Sequence, residues 1–130
     1  MPKAIAFGTF DGFHPGHKFY LDSASMHGDL TVVIARDSTV LKVEGKLPLH
    51  DEATRQIAVK AAGYEAVLGS ESDKYAVLER FRPDVICLGY DQEAFVDKLS
   101  EACKKRGLDA VILRMNAFHP ERYKSSLLNR

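Results

Sequence analysis

The sequence predicts a doubly wound parallel sheet with helices on both faces, on the strength of three observations. Five short apolar runs, most of them rich in β-branched residues, punctuate the chain. Helix-like stretches separate them at a spacing that fits one right-handed crossover between successive parallel strands. The length of 130 residues suits a single domain, spanning residues 1–130.

Lys3-Ala4-Ile5-Ala6-Phe7 is the first strand, buried on both faces and stopped at Gly8. A helix over 16–26 follows, with Pro15 in a first helical position, where its missing N–H costs nothing. Residues 30–35 (Leu-Thr-Val-Val-Ile-Ala) form the second strand. Asp51 is placed to cap a helix over 51–62, and Gly63 to stop it. Ala66-Val67-Leu68 before Gly69 is the third strand, and residues 74–81 the next helix. Residues 84–88 before Gly89 are the fourth strand. In the last helix, over 92–106, Leu99 and Cys103, with Phe95 and Val96 one turn earlier, share a face. Asp97, Lys98, Glu101 and Lys105 lie elsewhere on it, Gly107 stops it, and residues 110–113 close the order as the fifth strand.

Composition excludes several classes. Eighteen basic side chains balance eighteen acidic ones, so no broadly basic nucleic-acid surface is expected. A hydrophobic share of 45% argues against global disorder. No apolar run reaches the roughly 18 residues of a membrane span, and the N-terminus runs straight into a strand with no signal peptide, so a cytoplasmic protein with no membrane partner is expected. Cys87 and Cys103 have no metal-type spacing and read as a buried strand residue and a helical residue.

In doubly wound sheets ligands bind beyond the carboxyl ends of the strands, which singles out Gly8 onward, Arg36 onward and Gly89 onward. The first of these is Gly8-Thr9-Phe10-Asp11-Gly12-Phe13-His14-Pro15-Gly16-His17, between a strand and a helix start. Amides at a helix N-terminus favour a bound phosphate, and Gly16 removes a side chain where one would approach. His14 and His17, three residues apart, can both project toward one ligand and donate hydrogen bonds to phosphoryl oxygens as charge grows in a transition state.

Gly8-Thr9-Phe10-Asp11 followed by His14-Pro15-Gly16-His17 resembles the signature of the HxGH nucleotidyltransferases, a superfamily of cytidylyltransferases, pantetheine-phosphate adenylyltransferases and archaeal-type FAD synthases. The resemblance implies a compact Rossmann-like fold and transfer of a nucleotidyl group. An acceptor phosphate attacks the α-phosphorus of a nucleoside triphosphate and pyrophosphate leaves, with no covalent enzyme intermediate. It implies that Gly8, Thr9, Phe10, Pro15 and Gly16, with the two histidines, bind the nucleotide. Lys46 and Arg55 sit at distances from the turn that match a nucleotide-contacting lysine and a recurring arginine in the related cytidylyltransferases. Cation screening at this strand end makes Lys46 a catalytic candidate, and Arg36, Lys42 and Arg55 candidates for the substrates, with Asp37 of the same strand end a further substrate candidate.

Gly89 permits close approach of a flat ligand, and Asp91 can accept hydrogen bonds from a ribose or base or else cap a helix. Tyr90 and Phe10 are candidates to pack against a ring or simply to pack. In the tail, Arg114 and the pair Ser125 and Ser126 are candidates for the triphosphate, and His119 and Tyr123 for the nucleotide pocket. Cytidylyltransferases carry Arg-Thr-x-Gly-Ile-Ser-Thr-Thr there, of which only Arg114 and the serine pair survive.

Ala35-Arg36-Asp37-x-Thr39-Val40, the Leu88-Gly89-x-Asp91-Gln92 turn and the serine pair look most similar to archaeal-type FAD synthases. That implies ATP as donor, FMN as acceptor, and a divalent metal, Mg²⁺, held mainly by phosphate oxygens and water, with no tightly bound organic cofactor. Relatives pair as dimers, so a homodimer is a further expectation. Two alternatives stay open: a cytidylyltransferase acting on glycerol 3-phosphate or a sugar phosphate, and a module that binds an adenylate without turning it over.

Overall fold

The computed structural model describes residues 2–73, 75–89 and 96–115. The chain runs β1 (Lys3–Gly8), α1 (Pro15–Ser25), β2 (Asp29–Ile34), α2 (Asp37–Glu44), α3 (Glu52–Ala61), β3 (Glu65–Leu68), α4 (Ala76–Phe81), β4 (Val85–Leu88), α5 (Val96–Lys105) and β5 (Val111–Arg114). The five strands are all parallel, in the order β3-β2-β1-β4-β5. The chain therefore winds outward from β1 to one edge, returns, and winds to the other.

Strand alternation builds two cores. Ile5, Phe7, Val33, Ile86 and Leu88 face one way and pack on Val77 and Leu78 of α4 and on Leu99, Ala102 and Cys103 of α5. Ala6, Val32, Ile34, Ala66 and Cys87 face the other and pack on Leu21 and Ala24 of α1 and Val59 of α3. The register makes this self-consistent, since Ala6 lies beside Val32 on one side and Cys87 on the other. A one-residue slip would exchange the two faces throughout. Cys87 and Cys103 are free, buried thiols, and burial pushes the Cys87 pKa up to about 11, which makes it a poor nucleophile.

The capping expectations hold at particular atoms. Pro15 opens α1, the Asp51 carboxylate accepts from the Thr54 amide at 2.8 Å, and Gly63 adopts φ +103° past the end of α3. The helix α2 lies in a stretch, between the second strand and residue 51, where the sequence predicts no regular element. It is only eight residues long, carries β-branched Thr39, Val40 and Val43, and is held at both ends by tertiary or glycine contacts rather than by a side chain of its own N-cap. Glu52 Oε1 accepts from the Asp37 amide at 2.8 Å, and Asp37 Oδ2 from the Glu52 amide at 3.3 Å, so α2 and α3 cap one another.

β1 and β4 are neighbours although far apart in sequence, and this is where the winding direction changes. Beyond Ala6 and Cys87 their pairing stops, and the Tyr20 hydroxyl lies 3.0 Å from the Phe7 carbonyl and 2.8 Å from the Cys87 carbonyl. A single hydroxyl proton shared between two carbonyls thus pins α1 to the mouth of the crevice. Tyr20→Phe is expected to cost about 1–3 kcal/mol, read as a lower urea midpoint at unchanged m-value.

Candidate active site

A cleft of about 1050 Å³ opens over the carboxyl ends of the strands. Its wall includes Phe7 and Gly8 from β1, Ile34 from β2 and Arg36 beyond it, Gly69 and Ser70 beyond β3, and Gly89 beyond β4. The switch point between β1 and β4 lies within it.

The signature turn crosses this cleft, and its two histidines build the start of α1. His14 is the N-cap, and its Nδ1 accepts from the Gly16 amide at 3.1 Å. His17 Nδ1 accepts in return from the His14 amide at 3.3 Å. This is a capping box with imidazoles in place of Ser and Glu, and it explains the spacing of three, because N-cap and N3 are the positions that reciprocate. The rings stack with centroids 3.7 Å apart and an interplanar angle of 25°. Each Nδ1 is an acceptor, so the proton of each neutral ring sits on Nε2. The result is a pair of adjacent Nε2–H donors on rings that line the cleft.

Burial, and then the neighbouring His14, lowers the His17 pKa to about 4, while burial lowers that of His14. Neutral rings suit a site that donates protons in hydrogen bonds without surrendering them. The sign for stability follows. Between the ordinary pKa of 6.5 and about 4 the unfolded chain binds a proton at His17 that the folded chain does not. Stability is therefore full above pH 6.5 and falls as pH drops toward 4. An NMR titration should show the His17 ring still neutral at pH 5, and a denaturation series should show the urea midpoint declining across that window.

Phe10 holds the turn from beneath. Its φ of +56° is rare for a residue with a side chain, and it folds the ring back over Gly8, where a Cβ would lie 2.6 Å from the ring. Only glycine fits under it. The Phe10 ring then meets His17 edge-on at 5.2 Å and stacks on Tyr20 at 6.2 Å, fixing the His17 plane. Phe10 thus lines the cleft chiefly as a buried support. The Gly16 amide is taken by His14 rather than left open to phosphate, and neither Pro15 nor Gly16 forms cleft wall.

Asp11 reaches away from the turn to the stretch before α3. Its carboxylate accepts from the Leu49 amide at 2.8 Å, the His50 amide at 2.9 Å and His50 Nδ1 at 2.9 Å. Burial alone would raise its pKa, but these bonds outweigh that and hold it below the ordinary value.

Of the cationic candidates, Lys46 lines the cleft with an exposed side chain. Arg36 also lines it, though its guanidinium is engaged by Glu52 at 3.0 Å and Glu71 at 2.8 Å, which neutralise much of its charge. Three of the candidates lie off the cleft wall. Arg55 is 1% exposed, and it donates to the His50 carbonyl, the Thr9 carbonyl and Asp37 Oδ1 at 3.0, 2.8 and 2.8 Å. Asp37 is consumed by that ion pair and by capping α3. Lys42 is exposed on α2 and away from the cleft wall.

Arg114 ends β5 and donates to the carbonyl of Gly89, a residue of the cleft wall, at 2.8 Å. Tyr90, Asp91, His119, Tyr123, Ser125 and Ser126 lie outside the described residues. Sequence reasoning missed Tyr20, Thr39, Gly69, Ser70 and the apolar residues Val43, Leu47 and Leu49, all of which line the cleft. The one available signal was the spacing of Val40, Val43 and Leu47 at helical intervals.

The pattern that describes the cytidylyltransferase-like family matches residues 5–130. Over 121 residues the chain is 40% identical to an FAD synthase of Aciduliprofundum boonei, covering 91% of this chain and 80% of that protein. It is 43% identical over 118 residues to an FAD synthase of Methanosarcina barkeri, covering 88% and 84%. Among solved structures, a lipopolysaccharide core biosynthesis protein from Thermoplasma volcanium GSS1 superposes with a TM-score of 0.84 at 36% identity, covering 91% of this chain and 98% of that one. With the paired histidines at the switch point of a five-stranded parallel sheet, these matches lead to one conclusion: the chain belongs to the cytidylyltransferase-like family of nucleotidyltransferases.

Proposed function

We propose that this protein is an FMN adenylyltransferase, joining ATP and FMN to give FAD and pyrophosphate, with residues 1–130 acting as one nucleotidyltransferase domain. The carrying observation is the pair of Nε2–H donors created by the reciprocal caps of His14 and His17, in a chain whose relatives include FAD synthases. A cytoplasmic location, where both substrates are available, fits this reading, and among the described residues no helix is long and apolar enough to cross a membrane.

A phosphate oxygen of FMN attacks the α-phosphorus of ATP, and the bond to the β-phosphate oxygen breaks as pyrophosphate leaves. The chain supplies no nucleophile. It holds the two phosphates in line and stabilises charge on the non-bridging and departing oxygens. Neutral Nε2–H groups of His14 and His17 donate to those oxygens, Lys46 screens the two anions as they meet, and Gly89 leaves room for the nucleoside at the switch point.

A divalent ion fits this cleft in a restricted way. Among the described residues no group of three or more His, Cys, Asp or Glu side chains could hold a metal. Asp11 is committed to Leu49 and His50, while Glu44 lies on the cleft wall. Magnesium, which keeps most of its water and travels on the triphosphate, asks for no more than that, and Glu44 would accept from its waters. When bound it would neutralise triphosphate charge.

The test compares pyrophosphate release from ATP with FMN against CTP with glycerol 3-phosphate, with FAD identified by its absorbance after separation. Release only from CTP with glycerol 3-phosphate would overturn the proposal, as would ATP binding with no release from either pair. Lys46→Ala is expected to raise KM for ATP about tenfold or more, the scale of losing one charge-assisted phosphate contact. An unchanged KM would return Lys46 to the solvated surface.

A further inference from the structure

Four of the seven large apolar side chains left exposed among the described residues fall within residues 41–49: Leu41 at 46%, Val43 at 62%, Leu47 at 61% and Leu49 at 92%. Scattered exposed leucines need no explanation, but a run of them on the rim of a catalytic cleft does. Val43, Leu47 and Leu49 all line the same cleft as His14 and His17, with buried Val40 beneath them.

The backbone that carries them is held in place. Gly45 ends α2 at φ +79°, its amide bonded to the Leu41 carbonyl, and turns the chain across the cleft mouth. Pro48 restricts Leu47 to extended conformations. The Leu49 and His50 amides are fastened to Asp11, a member of the signature turn. These bonds fix both ends of the segment, and backbone already held in place lowers the ordering cost of binding.

Two ends of the cleft therefore differ in chemistry. The end at Gly8, His14, His17 and Gly89 offers backbone and imidazole donors. The end at α2 and residues 45–49 offers an apolar rim with the Lys46 ammonium set among it. The donor and the acceptor of the proposed reaction differ in the same sense, since the acceptor carries a large planar tricyclic ring on a short chain ending in one phosphate. We propose that Val43, Leu47 and Leu49 form the platform for the isoalloxazine ring of the acceptor, clamped at a set distance from the histidine pair by Asp11. This inference rests on the FMN adenylyltransferase reading and deepens it by naming the residues that select a flavin over a smaller phosphate acceptor.

The experiment uses the whole protein and three readouts: FAD formation with FMN and ATP varied in turn, lumiflavin (the ring without its phosphate chain) both as inhibitor and, through quenching of its fluorescence, as a directly titrated ligand, and sedimentation velocity. Leu47→Ser and Leu49→Ser are each expected to raise KM for FMN about tenfold, the scale of one lost apolar contact in a pocket, with KM for ATP unchanged within twofold. Lumiflavin should inhibit the parent protein competitively against FMN and lose about tenfold in potency on both variants. Leu49→Met, which keeps an apolar side chain, should restore both values. If the parent protein forms FAD but the serine variants keep its KM for FMN, or lumiflavin fails to compete, the platform is wrong and the adenylyltransferase reading stands. If it forms no FAD yet binds lumiflavin in a manner weakened by Leu49→Ser, the platform stands and the reading falls. A shift of the variants toward a smaller species at unchanged KM would identify the rim as a contact between two copies and overturn the platform.

Discussion

Replacing His17 with Ala is expected to lower kcat for FAD formation by on the order of 10² to 10³, the loss that follows removal of one preorganised donor to a developing anion. The effect should fall mainly on kcat, with KM for ATP little changed, because the Nε2–H bond strengthens as charge builds in the transition state. The substitution also removes the acceptor of the His14 amide, so a cost of about 1 kcal/mol in stability accompanies it, as for loss of a helix cap. Measuring turnover at a temperature where circular dichroism shows the variant fully folded separates the two effects. Near-normal kcat in the folded variant would remove His17 from the chemistry and leave it as a cap alone. His14→Ala should act in the same direction, but not additively, since each ring caps the other's segment and they stack.

The second large effect belongs to Arg55. Its guanidinium is buried and joins three separate pieces of the site: Thr9 in the signature turn, His50 beside the apolar rim, and Asp37 at the start of α2. Arg55→Ala would leave Asp37 with a carboxylate only 30% exposed and no cation, and would deprive two carbonyls of their donor. Breaking a buried pair by deleting one partner costs about 3–5 kcal/mol. That is a large fraction of the about 5–15 kcal/mol that holds a domain of ordinary stability. Urea denaturation should show a midpoint lower by the corresponding amount. Arg55→Lys should recover only part of it, because an ammonium cannot reproduce three donors spread over a planar fork. A loss under about 1 kcal/mol would show that the three segments hold their places without it.

Both predictions trace to how tertiary contacts were, or were not, encoded locally. The paired histidines were legible because their chemistry is written in one turn: cap, proline, glycine and N3 position are consecutive residues, and the three-residue spacing carries the geometry with it. The strands were legible for a similar reason, since each is a short run dominated by apolar residues that ends at a glycine or a turn. The helix α2 was not, because eight residues with three β-branched side chains have little helical preference of their own. What stabilises them is Glu52, fifteen residues on from Asp37. Arg55 and Asp37 pair with each other inside the protein, and charge alone cannot say whether a side chain meets a ligand or another part of the chain.

The sequence by itself determined the alternating elements, the two-faced parallel sheet and the histidine turn at its switch point, because periodicity and capping act between near neighbours. Tertiary structure alone decided which polar groups are spent inside the protein. Arg55 reaches the Thr9 carbonyl across 46 residues, Asp11 the His50 amide across 39, and Tyr20 the Cys87 carbonyl across 67. It also decided that Leu47 and Leu49 stay in water. A buried polar group must find its partner wherever the fold brings one, and no local pattern records where that will be.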